Sequence, residues 1–304
     1  MVYYDVVIIG AGPAGLTAGL YLSQAKYSTL VLDKEGFGGY IKNVELIENY
    51  PGFSEGVSGA FLASEMIKQA GNYGLQVKIA EVSGIELFSS TSFVQCEDGE
   101  GYTASVIIIA GGASHKKLGV PGENEFAGKG VFHCGLCDGG AFNDKVVAVC
   151  GGGNAGLTEA LYMAKIASKV IIFESMPALS ATALLQERAA ANPKIEIRCG
   201  VEIEALTGRD RLESLEYKDS NSGAAATLPV DGVLVNIGLE PNTGYLRDIV
   251  SLDSQGQIIV NQNMETDVPS ILAAGDIRSG SVRQISAAVG DGTIAAVTAQ
   301  HYLQ

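Results

Sequence analysis

The chain has 304 residues, enough for two ordinary domains with a core in each, and although 47% of them are hydrophobic, no apolar run reaches the roughly 18 residues of a membrane helix. A formal net charge of −14 and a pI near 4.6 argue against the basic face that a phosphate backbone requires, so neither nucleic acid nor a membrane is an expected partner. The first residues carry no basic region ahead of a strand-length apolar stretch, which reads as no signal peptide and predicts a cytoplasmic protein.

In chain order, Val6–Ile9 reads as a strand, followed by the turn Gly10-Ala11-Gly12-Pro13-Ala14-Gly15, a helix from about Ala14 to Gln24, and a strand Thr29–Leu32 ending at Asp33. Glycines permit a tight turn and let backbone N–H groups approach a diphosphate at a helix N-terminus. Asp33 follows at about the spacing at which a carboxylate accepts hydrogen bonds from a ribose hydroxyl. Val77–Val82, Phe88–Cys96 and Tyr102–Ile109 read as further strands, the last running out into Ala110-Gly111-Gly112-Ala113. The same grammar then returns: strand Val146–Val149, turn Gly151-Gly152-Gly153-Asn154-Ala155-Gly156, helix from about Ala155 to Ala167, strand Lys169–Phe173, then Glu174. A second exit follows Val233–Asn236 at Ile237-Gly238-Leu239-Glu240-Pro241-Asn242. The remaining strand Ser270–Ala274, Gly275-Asp276 and a helix from about Gln284 to Tyr302 are too short to stand alone, so they are expected to return to the first domain. The predicted fold class is α/β, with two Rossmann-like three-layer domains, the first discontinuous (1–113 and 242–304) and the second covering 114–241.

Ahead of the second glycine turn, in an expected loop, stands Cys134-Gly135-Leu136-Cys137. A Cys-x-x-Cys in a chain without signs of secretion is metal-binding or redox-active more often than a structural staple, and a structural zinc site wants a second ligand pair that this sequence lacks. No metal is expected. Two intervening residues keep the second thiol close to any mixed disulfide, so the ring opens and recloses readily. Cys96, Cys150 and Cys199 lie at strand ends or before glycine and read as small apolar residues, and His133 is left outside the catalytic set. Residues and spacing alone give two dinucleotide sites beside a redox-capable dithiol.

These motifs resemble the low-molecular-weight thioredoxin reductases among the flavin-dependent pyridine nucleotide–disulfide oxidoreductases. The resemblance is carried by Gly10–Gly15, Gly38-Gly39, Glu48-Asn49-Tyr50-Pro51-Gly52, Cys134–Gly139, Gly151–Asn154, Ile237–Asn242, Gly275-Asp276 and Arg283-Gln284, and covers nearly the whole chain. It implies FAD on the first domain, held by Gly10, Gly12, Pro13, Ala14, Gly15, Asp33, Lys34, Gly39, Tyr40, Asn49, Gly275, Asp276, Arg283, Gln284 and Ile285. It implies a nicotinamide dinucleotide on the second, at Gly151, Gly153, Asn154, Ala155, Glu174 and Gly238. By the same resemblance Cys137 is the thiol nearest the flavin, Cys134 attacks the partner's disulfide, and Asp138 protonates the departing thiolate, although Asp138 can equally be read as a cap for the turn through Gly139-Gly140. Thioredoxin or a thioredoxin-fold protein is the implied acceptor, a homodimer the implied assembly, and a swing of one domain against the other the implied gating.

Three positions depart from the family pattern. Gly38-Gly39-Tyr40 stands where Gly-Gly-Gln is expected beside the flavin, Ala155 replaces a Thr or Ser, and no arginine appears between Phe173 and Arg188. NADPH readers place arginines in that stretch, whereas Glu174 offers a carboxylate to both ribose hydroxyls of NADH and repels a 2′-phosphate. The segment Glu174-Ser175-Met176-Pro177 through Leu185-Gln186 resembles the NADH-using flavoprotein subunit of alkyl hydroperoxide reductase. NADH is therefore the favoured donor and NADPH the lesser one, with a cap of the next turn as the alternative role for Glu174. Two other readings stay open: the same frame fed by ferredoxin with an idle nicotinamide site, and a nucleotide-sensing protein that would have no need of the dithiol.

Overall fold

The computed structural model describes residues 2–44, 46–220, 222–246 and 248–304. Strand β1, Val2–Ile9, is buried over Val6–Ile9 because helices and strands cover both of its faces, as in a parallel sheet. Helix α1, Pro13–Gln24, leads back to β2, Thr29–Asp33, which lies parallel to β1 with Val6 opposite Thr29. Helix α2, Gly59–Gly71, starts at Ser58, whose Oγ accepts the Phe61 N–H at 3.1 Å, and returns to β3, Gln76–Ile79, parallel to β2.

The expected strands Val77–Val82 and Phe88–Cys96 are corrected here. β3 ends at Ile79, and a hairpin of β4, Val82–Leu87, and β5, Ser92–Cys96, takes their place. Ser89 and Ser90 supply the turn, closed by the Phe88 N–H on Thr91 O at 2.9 Å; the β-formers around them hide it in the sequence. β6, Gly101–Ile109, then serves three neighbours: β1 along its length in parallel, β5 antiparallel at its start, and a returning strand over its last three residues.

The chain gathers into two compact units, residues 1–114 with 240–304 and residues 115–239. It crosses between them twice, and the two crossings, β7 at Ala113–His115 and the later Leu239–Pro241, pair side by side. In the second unit come β8, Val131–Phe132, the single helical turn α3, Gly135–Asp138, then β9, Val146–Cys150, α4, Asn154–Ile166, β10, Lys169–Glu174, α5, Ala183–Ala190, and β11, Ile195–Cys199. An antiparallel meander of β12, Val201–Gly208, β13, Leu212–Asp219, and β14, Ala225–Pro229, precedes β15, Gly232–Val235. The main sheet runs β11-β10-β9-β15-β8, all parallel. Val147, Val149, Leu157, Met163 and Ile172 fill one of its faces; Ile171, Phe173, Leu212, Leu215 and Val233 fill the other beneath the meander.

After β16, the crossing at Leu239–Pro241, the chain re-enters the first unit as β17, Ile271–Ala273, and α6, Ile285–Tyr302. β17 completes the edge left open at the end of β6, and α6 buries Ala295, Ala296 and Ala299 with Leu16, Ala18 and Leu22 of α1. Small residues on both helices permit that close approach.

Candidate active site

The two glycine turns are built alike. Gly10 has φ 110° and Gly151 φ 120°, a region that only glycine enters without strain, and both turns press on backbone. A Cβ at Gly10 would lie 2.2 Å from Ala110 O, and one at Gly151 would lie 2.1 Å from Asn236 O. The Gly10 N–H donates to Leu32 O at 2.7 Å and the Gly151 N–H to Phe173 O at 2.8 Å, extending each ladder by one rung. One residue further, the Ala11 N–H donates to Asp33 Oδ2 at 2.8 Å and the Gly152 N–H to Glu174 Oε2 at 2.6 Å. Each strand-end carboxylate thus fastens its glycine turn. Each also accepts a local turn N–H on its other oxygen, Glu35 to Asp33 and Met176 to Glu174, both at 2.9 Å. The capping role of Glu174 is therefore real and coexists with the clamp, and a carboxylate's four lone-pair sites leave room for a ligand hydroxyl.

Helix α1 starts from Gly12 with Pro13 in the first turn, and α4 starts from Gly153; neither start has a side-chain cap. The N-terminal N–H groups of Ala14 and Gly15, and those of Asn154 and Ala155, are the donor set that suits a diphosphate, so the residues present fit a dinucleotide at each turn. The Asn154 side chain also reaches beyond its own helix, with Oδ1 accepting the Thr182 N–H at 2.7 Å, while the Ser180 and Ala181 N–H groups donate to Gly152 O at 3.0 and 3.1 Å. The segment after Glu174 is thereby folded back onto the second turn. Gly238, at φ 118°, accepts the Lys116 N–H at 2.9 Å.

Beside the first turn, the Gly38 N–H donates to Ala11 O at 2.9 Å and places the short 3-10 turn Gly39–Asn43, with Tyr40 exposed on it. Asn49 and Gln284, 235 positions apart, meet through Nδ2 donating to Oε1 at 2.9 Å. Gln284 precedes α6, Ile285 is that helix's first residue, and Arg283 takes the uncommon φ of 53°. Lys34 is exposed and pairs with Glu81 at 3.8 Å. Gly275 and Asp276 end the β17 segment; burial pushes the Asp276 carboxyl up, and Ser281 Oγ donates to its Oδ1 at 3.3 Å.

The sequence reading missed what holds that corner. Asp291, buried in α6, accepts the Gly275 N–H at 3.0 Å and a two-pronged contact from Arg278, Nε to Oδ2 at 2.7 Å and Nη2 to Oδ1 at 2.8 Å. A lone acid between Gly290 and Gly292, in a helix with no other Asp or Glu and no Lys or Arg, was the available signal.

Cys134 and Cys137 form a disulfide, with Cα atoms 5.4 Å apart. The expected loop is a helical turn: Cys134 is the N-cap of α3, and its Sγ accepts the Cys137 N–H at 3.1 Å. Cys134 is buried, whereas Leu136, Cys137 and Asp138 are exposed. Asp138 heads the following 3-10 turn, Gly139–Phe142, without a side-chain capping bond. The Gly135 N–H donates to Glu159 Oε2 at 2.8 Å, a second residue the sequence reading passed over. His133, just ahead of the pair, bonds Val235 O through Nδ1 at 3.0 Å and stacks on His115 at 5.2 Å between centroids. Burial pushes the Cys150 thiol up to about 12 and raises those of Cys96 and Cys199, and Cys150 and Cys96 are also buried, out of reach of a partner.

A doubled dinucleotide frame with a half-exposed disulfide on one of its units defines a nucleotide-linked disulfide oxidoreductase. The pyridine nucleotide-disulphide oxidoreductase family model matches residues 4–292. The thioredoxin reductase of Treponema pallidum is 39% identical over 300 residues, covering 99% of this chain and 97% of that protein. The crystal structure of Lactococcus lactis thioredoxin reductase superposes with a TM-score of 0.96 at 36% identity, covering 99% of both chains. A ferredoxin-flavin thioredoxin reductase from Clostridium acetobutylicum gives a TM-score of 0.55 at 29% identity, covering 100% of this chain and 99% of the other. The chain belongs to the pyridine nucleotide-disulphide oxidoreductases, in their low-molecular-weight thioredoxin reductase branch, and is an FAD-dependent oxidoreductase.

Proposed function

We propose that this enzyme passes electrons from NAD(P)H, with NADH favoured, through FAD and the Cys134–Cys137 disulfide to thioredoxin or a thioredoxin-fold protein. The observation that carries the reading is the disulfide on a partly exposed helical turn, in the unit that also holds the second glycine turn. FAD, when bound, supplies two-electron transfer between a nicotinamide and a disulfide. The chain's part is to hold it: N–H groups of Gly12–Gly15 for the diphosphate, Asp33 for the ribose, Gly39, Tyr40 and the Asn49–Gln284 pair for the flavin, Asp276 for the ribityl side. The second turn, from Gly151 to Ala155, holds the nicotinamide dinucleotide in the same manner.

Reducing the disulfide adds two electrons and two protons and leaves two thiols. Cys137, the more exposed residue of the pair, receives the electrons first; the Cys137 N–H lies on Cys134 Sγ, where it favours negative charge as Cys134 leaves. Asp138, exposed beside the pair and with no capping bond, delivers one proton to the departing Cys134 sulfur, and solvent supplies the other at the exposed Cys137 side. Cys134 then attacks the partner's disulfide.

NADH is favoured because Glu174 closes β10 against the second turn. Arg198 lies opposite Phe173 in register, so it shares that residue's face of the sheet, and Glu196 at 2.7 Å and Tyr217 Oη at 2.7 Å occupy its guanidinium. That basic group is committed away from a 2′-phosphate. The second reading, a ferredoxin donor, draws on the likeness to the Clostridium acetobutylicum protein and on the arginine-free stretch 175–187. A homodimer in the cytoplasm is the setting proposed on the family's pattern. Stopped-flow bleaching of the flavin by NADH, NADPH and reduced ferredoxin tests the reading: rapid bleaching by NADH is expected, and bleaching by ferredoxin alone overturns it.

A further inference from the structure

Once its disulfide is opened, the dithiol turn is too short to persist as a helix without outside support. A single turn of helix is unfavourable in isolation, because it fixes several residues for one hydrogen bond. Within α3, Cys134 Sγ takes the Cys137 N–H, and Cys134 O takes the Asp138 N–H at 3.1 Å. The Gly135 N–H, first of the turn, is left for another element, and α4 supplies the acceptor: Glu159 Oε2 at 2.8 Å. The approach is close enough that a Cβ on Gly135 would fall 2.5 Å from that oxygen and 3.1 Å from Tyr162 Cδ1. Glu159 is the only acid of α4, whose first residue, Asn154, belongs to the second glycine turn. Burial pushes its carboxyl up, against the opposing pull of the Gly135 bond.

We propose that Glu159 is a positioning residue of the redox reaction: it anchors the Cys-x-x-Cys turn through the Gly135 N–H, and the charge of its carboxylate sets the acidity of the Cys134 thiol. The inference rests on the dithiol reading above. Reduction turns a neutral disulfide into a thiol pair whose Cys134 member ionises one residue from the N–H that Glu159 holds. An anionic carboxylate there disfavours a second negative charge, while the hydrogen bond keeps the turn in the form in which the Cys137 N–H reaches Sγ. Other titratable groups on the surrounding elements are Asp138 on the turn, His133 on the strand leading in, Lys145 beyond the 3-10 turn, and Tyr162 with Lys165 on α4, the Lys165 ammonium 5.6 Å from the Tyr162 ring centroid. All of them stay in place when Glu159 alone is changed.

The test uses the full flavin-loaded chain carrying Cys137→Ser, which isolates Cys134, and follows iodoacetamide labelling of the Cys134 peptide by mass spectrometry against pH. Glu159→Gln keeps an oxygen for the Gly135 N–H and removes the charge; the labelling midpoint is expected to fall by about one pH unit. Glu159→Ala, read in the chain with both cysteines, removes the anchor as well, and kcat for disulfide reduction is expected to fall about tenfold or more, with Glu159→Gln recovering most of it. An unmoved midpoint in Glu159→Gln, with melting temperature unchanged, overturns the charge effect and with it the proposal. Equal kcat values for Glu159→Ala and wild type overturn the anchoring. The labelling needs neither electron donor nor protein acceptor, so a failure of the donor or acceptor assignment is seen separately, in the flavin bleaching.

Discussion

Two side chains carry most of the chemistry that can be tested one atom at a time. Cys137→Ser is expected to leave FAD bound and reducible by the nicotinamide while protein-disulfide reduction falls at least a thousandfold, because the disulfide is gone; Cys134→Ser has the same effect on turnover. Either variant reducing thioredoxin at the wild-type rate in an insulin-coupled assay would falsify the dithiol route. Glu174→Arg is expected to raise the NADPH-to-NADH ratio of kcat/KM by about tenfold or more, a change of about 1.4 kcal/mol in relative transition-state binding. It also loses the 2.6 Å clamp on Gly152, so KM for both donors rises; Glu174→Gln, which keeps an oxygen there, separates the two effects. Wild-type preference for NADPH in the same assay sinks the argument. At this scale the sequence was legible where spacing encodes contact: Asp33 and Glu174 stand where the strand ends, and the Cys-x-x-Cys spacing brought its sulfurs together. It was opaque for Glu159 and Asp291, because a helix reveals in its sequence which face a residue is on but not which N–H another segment will bring to it.

Helices and strands around the glycine turns followed the pattern of hydrophobic runs, since a buried parallel strand is a short apolar word followed by a turn signal. The hairpin β4–β5 and the meander β12–β14 did not, because antiparallel strands with one exposed face alternate, and their turns carry serines or charges in place of an Asn-Gly signal. The helical form of the dithiol turn escaped for a related reason: a four-residue helix has no periodicity, and α4 imposes it from outside. The glycine turns themselves make a test of element geometry. Gly10→Ala would push a methyl group onto Ala110 O at 2.2 Å, against backbone that has nowhere to go, and is expected to cost about 2–4 kcal/mol and most of the FAD content. Urea unfolding of the flavin-free protein measures the first, and the absorbance ratio of flavin to protein measures the second; wild-type values for both would show that the turn tolerates a side chain.

Seen whole, the chain is one compact unit interrupted by another, joined through β7 and β16. The small residues at about Gly111–Ser114 and Pro241–Gly244 suit a hinge. The crossings pair as a ribbon, with Asn242 donating from Nδ2 to Gly111 O at 2.8 Å and accepting from Ser114 Oγ at 2.7 Å. If the nicotinamide and the disulfide take turns at the flavin, the ribbon must twist as one piece, and a cross-link fixing one unit to the other is expected to stop steady-state turnover while sparing one half-reaction. Undiminished turnover in a sample shown to be cross-linked would rule the gating out. The interruption also orders events during synthesis. Residues 115–239 leave the ribosome as a finished unit, while the edge of β6 that receives β17, and the α1 surface that receives α6, wait for segments made about 160 to 280 residues later. For that interval Ile107–Ile109 and the face of α1 that bears Leu16 and Leu22 are bare apolar surface, so the nascent chain, rather than the folded enzyme, is where this protein most needs a chaperone.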